Sequence, residues 1–285
     1  MTQPTASIET RPTTQPDHLR VSADWLQTRL DDPRLRIVEV DVTAAAYDDG
    51  HIPGAVLWNV YRDFKTPSYE PVDVDTIRRR VEVSGIDPGS TVVCYGYAPA
   101  MGAWLLSLLG HTDVRILDCR REAWPTQGRA WSTDQPSPAT AVYRSPGPLP
   151  EIRADLDAVL AAIDDPSVTI LDVRSAAEFA GERFWPSGGS EPGGRSGHVP
   201  GAVRLPLESL VHHDGTFRAE PDLRRAVTEL GVAQDAAIIT YCTVGGRAST
   251  AWFALTRILG RPDVRVFDGS WAQWGLTSST PVTSV

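Results

Sequence analysis

The sequence predicts an α/β fold made of two similar domains, each a parallel sheet flanked by helices. Short apolar runs of strand type alternate with segments of helical spacing, the pattern of parallel sheets covered on both faces. The whole pattern occurs a second time about 150 residues later. A period of that size indicates duplicated domains rather than a solenoid, and 285 residues are enough for two cores.

Two pairs of matching segments establish the repeat. GHIPGAV at 50–56 returns as GHVPGAV at 197–203, and LGHTDVRILDCRREAW at 109–124 returns as LGRPDVRVFDGSWAQW at 259–274. The residues between the copies are rich in proline, which is typical of an extended linker. We therefore expect a flexible polar tail at 1–17, a first domain at 18–130, a linker at 131–150 and a second domain at 151–285.

Within each copy the elements follow in one order, from a helix and a first strand to a central strand, an apolar helix and a closing strand. The first helices are predicted in 21–30 and 152–163, the first strands at 35–40 and 168–173, the central strands at 91–95 and 237–241, and the closing strands at 114–118 and 264–268.

The segment after the central strand of the second copy carries the strongest functional signal. Cys242 would stand at the carboxyl end of that strand, before a loop with two glycines and a helix predicted from about Ser249. Glycines let successive N–H groups converge on one point, and a helix adds its positive end, so a thiolate would be stabilised there. We predict a reactive cysteine rather than a structural one. The loop residues are Thr243, Val244, Gly245, Gly246 and Arg247.

The loop CTVGGR resembles the active-site loop of rhodanese-type sulfurtransferases. In that family, four residues between Cys and Arg fit a persulfide sulfur, whereas cysteine phosphatases have five residues there and surround a phosphate. The resemblance implies two rhodanese-like domains, no cofactor, and transfer of a sulfane sulfur from thiosulfate to cyanide or another thiophile. Cys242 would carry the sulfur as a persulfide among the N–H groups of residues 243–247, with ping-pong kinetics.

The resemblance leaves the donor and the role open. Thiosulfate-using members often have a cation where this chain has Thr243, and mercaptopyruvate-using members have Thr where it has Arg247. The stretch FDGSWAQWG at 267–275 favours thiosulfate, whereas Glu178 stands where binders of anionic donors often have Arg. Thiosulfate is the expected donor and 3-mercaptopyruvate the alternative. A noncatalytic persulfide carrier or regulatory module serving a partner protein also stays open, and the loop length disfavours a phosphatase.

The two copies differ in chemistry. Aligning Tyr95 with Tyr241 places Gly96 where the second copy has Cys242, so the first domain is predicted to lack a nucleophile. The resemblance implies that such an inactive domain supports the active one. Cys94 and Cys119 are interpreted as core or turn residues.

Two other segments of the second copy could border the site. Asp172 and Arg174 follow the first strand, where α/β folds place ligand groups. Arg174 and Glu178 are nevertheless spaced i, i+4, which predicts a simple pair on a helix. Arg183 is a candidate for substrate binding, since it opens a Gly- and Pro-rich segment at 183–197. That segment could cover the Cys242 pocket or form a mobile surface loop.

Composition narrows the function further. The net charge of −9 disfavours nucleic acid, the six histidines show no metal-ligand spacing with cysteine, and no apolar run is long enough for a membrane span. In the GHIPGA and GHVPGA motifs, His51 and His198 are interpreted as turn residues. Lys65 is the one lysine, so arginine is expected to supply the basic groups. Three cysteines without a secretory segment predict the cytoplasm, with a small anionic sulfur donor and a thiophilic or protein acceptor as partners.

Overall fold

The structure is a computed structural model that describes residues 19–144 and 147–284. The tail predicted at 1–17 lies outside the described residues. Two parallel sheets, one of five strands and one of four, are each flanked by helices, which confirms the predicted α/β fold.

The strand order is β1-β5-β4-β2-β3 in the first sheet and β7-β6-β8-β9 in the second, and all pairs are parallel. The central strands β4 and β8 each pair with the first long strand of their own copy. The bounds of the strands are β1 Arg20–Val21, β2 Leu35–Asp41, β3 Val56–Asn59, β4 Thr91–Gly96, β5 Val114–Leu117, β6 Val168–Asp172, β7 Val203–Arg204, β8 Ala237–Tyr241 and β9 Val264–Val266.

Local capping explains where several helices begin. Ser22, Asn59, Asp73 and Asp155 accept hydrogen bonds from the first-turn amides of α1, α3, α4 and α7, and α8 begins with a full capping box. The bounds of the helices are α1 Ala23–Gln27, α2 Ala45–Asp49, α3 Val60–Phe64, α4 Val74–Val83, α5 Pro99–Leu108, α6 Ala123–Thr126, α7 Leu156–Ala162, α8 Ala176–Ala180, α9 Glu220–Glu229, α10 Gly246–Phe253 and α11 Ser270–Leu276.

The helix after Cys242 starts earlier than the sequence predicts. It was expected from about Ser249, but α10 already begins at Gly246, because Gly245 takes a left-handed conformation that turns the chain directly into the helix. A π-helical turn over Ala254–Ile258 follows α10.

The GHIPGA and GHVPGA motifs form equivalent turns. His51 Nδ1 lies 3.0 Å from the Tyr47 carbonyl, and His198 Nδ1 lies 2.9 Å from the Phe179 carbonyl. Each imidazole also stacks on the ring of the same partner. These contacts agree with the structural interpretation of both histidines.

A buried carboxylate–arginine pair lies at the same place in both domains, and it corrects one prediction. Arg174 does not pair with Glu178; its Nη2 donates to Asp172 at 2.6 Å, and both side chains are fully buried. In the first domain, Arg121 Nε donates to the buried Glu39 at 2.7 Å. The i, i+4 prediction is wrong because the strand-end carboxylate takes the arginine.

The two domains share one apolar interface. Helix α5 of the first domain packs against α10 of the second, and a single core cluster includes Trp104 and Leu105 of α5 with Trp252 and Phe253 of α10. Between the domains, the described part of the predicted linker up to residue 149 contains no helix or strand beyond an isolated bridge between Ser132 and His51.

Candidate functional site

Cys242 directly follows β8 at the carboxyl edge of the second sheet, and its residue is 2% exposed. Its N–H donates to Ser270 Oγ at 3.1 Å, and its carbonyl accepts from Trp271 N at 2.9 Å. The carbonyl of Thr243 accepts from Ala272 N at 2.9 Å. The FDGSW stretch therefore holds the base of the loop in place.

The thiol receives a hydrogen bond from its own loop. Gly245 N–H donates to Cys242 Sγ at 3.2 Å, and α10 begins at the next residue, so its positive end faces the loop. Gly245 has φ of 103°, and a Cβ there would lie 3.2 Å from the Asp268 carbonyl oxygen. The loop can therefore aim this amide at the sulfur only with glycine at that position.

Arg247 is bound to a carboxylate rather than left free at the site. Its Nη1 and Nη2 donate to the two oxygens of Glu178, each at 2.8 Å. Thr243 Oγ1 donates to Glu178 Oε1 at 2.8 Å and accepts from Arg247 Nη2 at 2.6 Å. Arg247 and Thr243 thereby fasten the loop to α8.

The Glu178 carboxylate is held ionised. Burial opposes its charge, but the hydrogen bonds and charge of Arg247, with hydrogen bonds from Thr243 and Ser175, lower the pKa of Glu178 to about 2. Glu178 therefore neutralises Arg247 across the working pH range.

Arg183 is linked to the loop through two other side chains. Its Nη2 donates to Ser175 Oγ at 3.2 Å, and Ser175 N donates to Glu178 Oε2 at 3.1 Å. Arg195, at the other end of this segment, donates to the carbonyls of Thr280 at 2.6 Å and Trp274 at 3.2 Å. The segment at 183–197 is thus fastened to the C-terminal residues through Arg195, and Arg183 is linked to Glu178 through Ser175.

A cleft of about 800 Å³ opens between the two domains. Tyr61, Lys65 and Tyr69 of the first domain line one wall, and Trp185 and Glu191 of the 183–197 segment line the other. The rings of Tyr69 and Trp185 lie 5.3 Å apart. Burial, and then nearby groups that include Cys242, raise the pKa of Tyr61 to about 12, so its hydroxyl stays protonated.

Lys65 is a residue that the sequence interpretation missed. The sequence assigned the basic groups to arginine, yet the Lys65 side chain is fully buried and its Nζ donates to the Asp268 carbonyl at 2.5 Å. Asp268 adjoins the Cys242 loop, because its carbonyl lies against Gly245. The sequence does show that Lys65 is the sole lysine, which could have drawn attention to it. Its position near the loop, however, arises only from the packing of the two domains.

At the position that corresponds to Cys242, the first domain has a glycine, Gly96. Tyr95 accepts from Ile52 N, and Tyr241 accepts from Val199 N in the same way, so Gly96 corresponds to Cys242. A Cβ on Gly96 would lie 2.9 Å from the Val40 carbonyl oxygen, and the φ of Gly96 is 105°.

The other two cysteines lie apart from the loop. All three cysteines are free thiols; Cys94 is buried within β4, and Cys119 is partly buried beyond β5. Burial raises the pKa of both thiols. In the described ranges no group of three or more His, Cys, Asp or Glu could hold a metal ion, and no helix there has the length and apolarity to cross a membrane.

The comparisons with known proteins agree on one family. The rhodanese-like domain matches residues 22–127 and again 155–277. The sulfur carrier protein TtuD of Thermus thermophilus is 37% identical over 271 residues, which cover 92% of this chain and 95% of that protein. A Haloferax volcanii protein, named provisionally as a thiosulfate sulfurtransferase, is 36% identical over 272 residues, with coverage of 92% and 95%.

A solved structure shows the same fold at lower identity. The anaerobic ergothioneine biosynthesis enzyme of Chlorobium limicola superposes with a TM-score of 0.81 at 23% identity, covering 94% of this chain and 70% of that chain. Since the domain matches twice and the relatives align over nearly their whole length, this protein belongs to the rhodanese-like sulfurtransferase family as a member with two copies of the domain.

Proposed function

We propose that this protein moves a sulfane sulfur from thiosulfate to a thiophilic acceptor through a persulfide on Cys242. The observation that carries the proposal is the Gly245 N–H that donates to Cys242 Sγ at 3.2 Å, in a loop with four residues between Cys and Arg. This amide and the adjoining start of α10 favour a negatively charged sulfur, as thiolate or persulfide.

The reaction has two half-reactions. The Cys242 thiolate attacks the outer sulfur of thiosulfate, the S–S bond of the donor breaks, and sulfite leaves with the bonding electron pair. A thiophile such as cyanide then attacks the outer sulfur of the persulfide, its S–S bond breaks, and thiocyanate leaves while the thiolate returns. Each product departs before the next substrate acts, so the kinetics are ping-pong.

The domain organisation and the location belong to the same proposal. The nucleophile lies in a catalytic domain at 151–285, the domain at 18–130 supports it, and the protein works in the cytoplasm with a small anionic donor. Mercaptopyruvate is the alternative donor, because Glu178 neutralises the Arg247 guanidinium that a doubly charged donor would use.

A second candidate function is persulfide carriage to a protein acceptor. A relative at 37% identity is named a sulfur carrier protein, and the cleft of about 800 Å³ between the domains has more room than cyanide needs. In that case persulfide would form readily and persist in the presence of small acceptors.

The test is intact-protein mass spectrometry after incubation with thiosulfate and, separately, with 3-mercaptopyruvate. The wild type is expected to gain one sulfur atom, Cys242→Ser to gain none, and Cys94→Ser and Cys119→Ser to gain it as the wild type does. Folding of each variant is checked by circular dichroism. A sulfur gain in folded Cys242→Ser, or its loss in folded Cys94→Ser or Cys119→Ser, would overturn the assignment of the nucleophile.

Turnover with cyanide then separates the two candidate functions. Rapid thiocyanate release from the persulfidated protein supports the thiosulfate sulfurtransferase. A persulfide that survives cyanide supports the carrier.

A further inference from the structure

A buried cation from the first domain lies beside the Cys242 loop. Lys65 caps the end of α3, and its Nζ donates to the Asp268 carbonyl oxygen at 2.5 Å. The same oxygen would lie 3.2 Å from a Cβ on Gly245, the residue whose amide donates to Cys242 Sγ. The Asp268 carbonyl group thus lies between the Lys65 ammonium and the loop that holds the sulfur.

The charges around Lys65 do not balance among the described carboxylates. Arg153 donates to both oxygens of Asp268, at 3.0 and 2.9 Å, while Lys65 Nζ lies 3.7 Å from Asp268 Oδ2. Two cations therefore share one carboxylate that is itself buried. A buried charge without compensation is strongly destabilising, so a further anion is expected within reach.

The sulfur of Cys242 is the anion that fits this place. Burial lowers the pKa of Lys65, the charge of Asp268 raises it, the charge of Arg153 lowers it, and an ionised Cys242 raises it. Arg247, the other cation that senses the Cys242 charge, already has Glu178 as its counter-ion. Lys65, by contrast, has the Asp268 carboxylate only at 3.7 Å and shares it with Arg153.

We propose that Lys65 supplies, across the domain boundary, the positive charge that stabilises the anionic sulfur of Cys242, first as the thiolate and then as the persulfide. The proposal rests on Cys242 being the nucleophile of the proposed function. Lys65 stabilises the sulfur anion electrostatically and does not touch the substrate, so it is a positioning residue rather than a catalytic one. The domain without a nucleophile would thereby contribute to the chemistry.

Two alkylating reagents of nearly equal shape test the charge directly. Iodoacetamide is neutral and iodoacetate is anionic, and both alkylate a thiolate, so the ratio of their rates at Cys242 reports the local positive charge. The rates are measured by peptide mass spectrometry on the full chain, in the wild type, Lys65→Met and Lys65→Arg. The control is Arg62→Met, since Arg62 is exposed and its guanidinium is bound to Asp63 at 2.7 and 3.1 Å.

The expected result is a fall in the iodoacetate-to-iodoacetamide ratio in Lys65→Met. One unit charge a few ångströms away predicts a fall between about threefold and about a hundredfold, depending on how far water screens it. Lys65→Arg should keep most of the ratio, and Arg62→Met should keep all of it. An unchanged ratio in Lys65→Met, or an equal fall in Lys65→Arg, would overturn the proposal.

A measurement on the wild type covers the case in which Lys65→Met fails to fold. Because Lys65 is the sole lysine, protein grown with lysine labelled with carbon-13 at Cε gives one lysine side-chain resonance. Capping Cys242 with iodoacetamide removes the negative charge and should shift that resonance, whereas persulfidation of uncapped protein keeps an anionic sulfur and should leave the resonance near its first position. A resonance that capping leaves unmoved would count against the proposal.

The two proposals can fail separately. If the alkylation ratio depends on Lys65 but thiosulfate and mercaptopyruvate add no sulfur, the proposed function fails and the charge assignment stands. If sulfur is added and the alkylation ratio is the same with and without Lys65, only the charge assignment fails.

Discussion

Arg247 and Glu178 show how one ion pair changes what a loop offers to its substrate. In the sequence, Arg247 stands out as the cation of the loop, and its fork geometry suits an oxyanion. In the structure both of its terminal nitrogens are taken by Glu178, and Thr243 completes the same cluster. The arginine therefore stabilises the shape of the loop, and the positive charge near the sulfur must come from elsewhere.

Replacing Glu178 with Gln should lower the free energy of unfolding at pH 7 by up to about 3 kcal/mol, the value of a pKa lowered from 4.5 to about 2. A depressed carboxylate pKa stabilises the fold fully above pH 4.5, and the stabilisation is lost as the pH falls through about 2. Urea unfolding of both proteins at pH 7 and at pH 3 should therefore give a smaller difference at the lower pH.

The matched control for that series is Glu220→Gln. Glu220 also pairs with an arginine, Arg224, at 2.6 Å, but both side chains are about half exposed. An exposed i, i+4 pair contributes about 0.3 to 0.5 kcal/mol, so this variant should differ little from the wild type at either pH. A Glu178→Gln effect as small as the control would show that the buried pair adds no net stability.

The loop between β8 and α10 depends on backbone geometry as much as on its side chains. Among the described residues, the amide of a left-handed glycine, Gly245, is the donor to the sulfur, and backbone hydrogen bonds from Trp271 and Ala272 hold the base of the loop. A change of backbone conformation should therefore affect the chemistry without removing any reactive group.

Gly245→Ala should slow persulfide formation while costing only about 1 to 2 kcal/mol of stability, the usual strain of a left-handed residue with a Cβ. The added methyl group would press on the Asp268 carbonyl at 3.2 Å and move the amide away from Cys242 Sγ. Gly231→Ala is the control, because Gly231 has φ of 73° and no heavy atom within 4 Å of the new Cβ. Persulfidation rates come from single-turnover mass spectrometry, and equal rates in the two variants would contradict this role of the amide.

The regular elements near the site could be predicted from local sequence. The run AIITY matches β8, Ala237–Tyr241, because a buried parallel strand is uniformly apolar. The short strands β3 and β7 directly follow the GHIPGA and GHVPGA turns and were missed. The partner of Arg174 was predicted wrongly, because helical spacing says nothing about Asp172 at the end of the preceding strand.

At the scale of the whole molecule, the shared core joins the domains into one folding unit. Helix α10 carries the Cys242 loop at its start and buries Trp252 and Phe253 in a cluster that also contains Trp104 and Leu105 of α5. Separating the domains would expose this apolar surface to water, at a cost of about 25 cal/mol per Å².

Thermal unfolding of the full chain should therefore be a single cooperative transition. Differential scanning calorimetry should give a calorimetric enthalpy equal to the van't Hoff enthalpy, and circular dichroism and tryptophan fluorescence should report the same midpoint. Two resolved transitions would show that the domains unfold independently and that the shared core contributes little.

The parts of the site that the sequence could not predict are the contacts between the two domains. The six contiguous residues from Cys242 to Arg247 were visible as a motif. The backbone freedom of its two glycines predicted that N–H groups would converge on the sulfur. Lys65 and Asp268 are distant in sequence, and only the docking of one domain on the other brings their polar atoms to 2.5 Å. No periodicity or spacing within one copy encodes such a contact.

The crowded glycine of the first domain bears on how the duplicated chain could change over time. An atom added to Gly96 would meet the Val40 carbonyl at 2.9 Å and the Glu39 side chain at 3.0 Å, with a φ that other residues rarely adopt. A single codon change to cysteine would therefore insert a thiol where the chain has no room for it. One substitution at this position therefore cannot give the first domain a nucleophile unless the backbone of β2 moves aside.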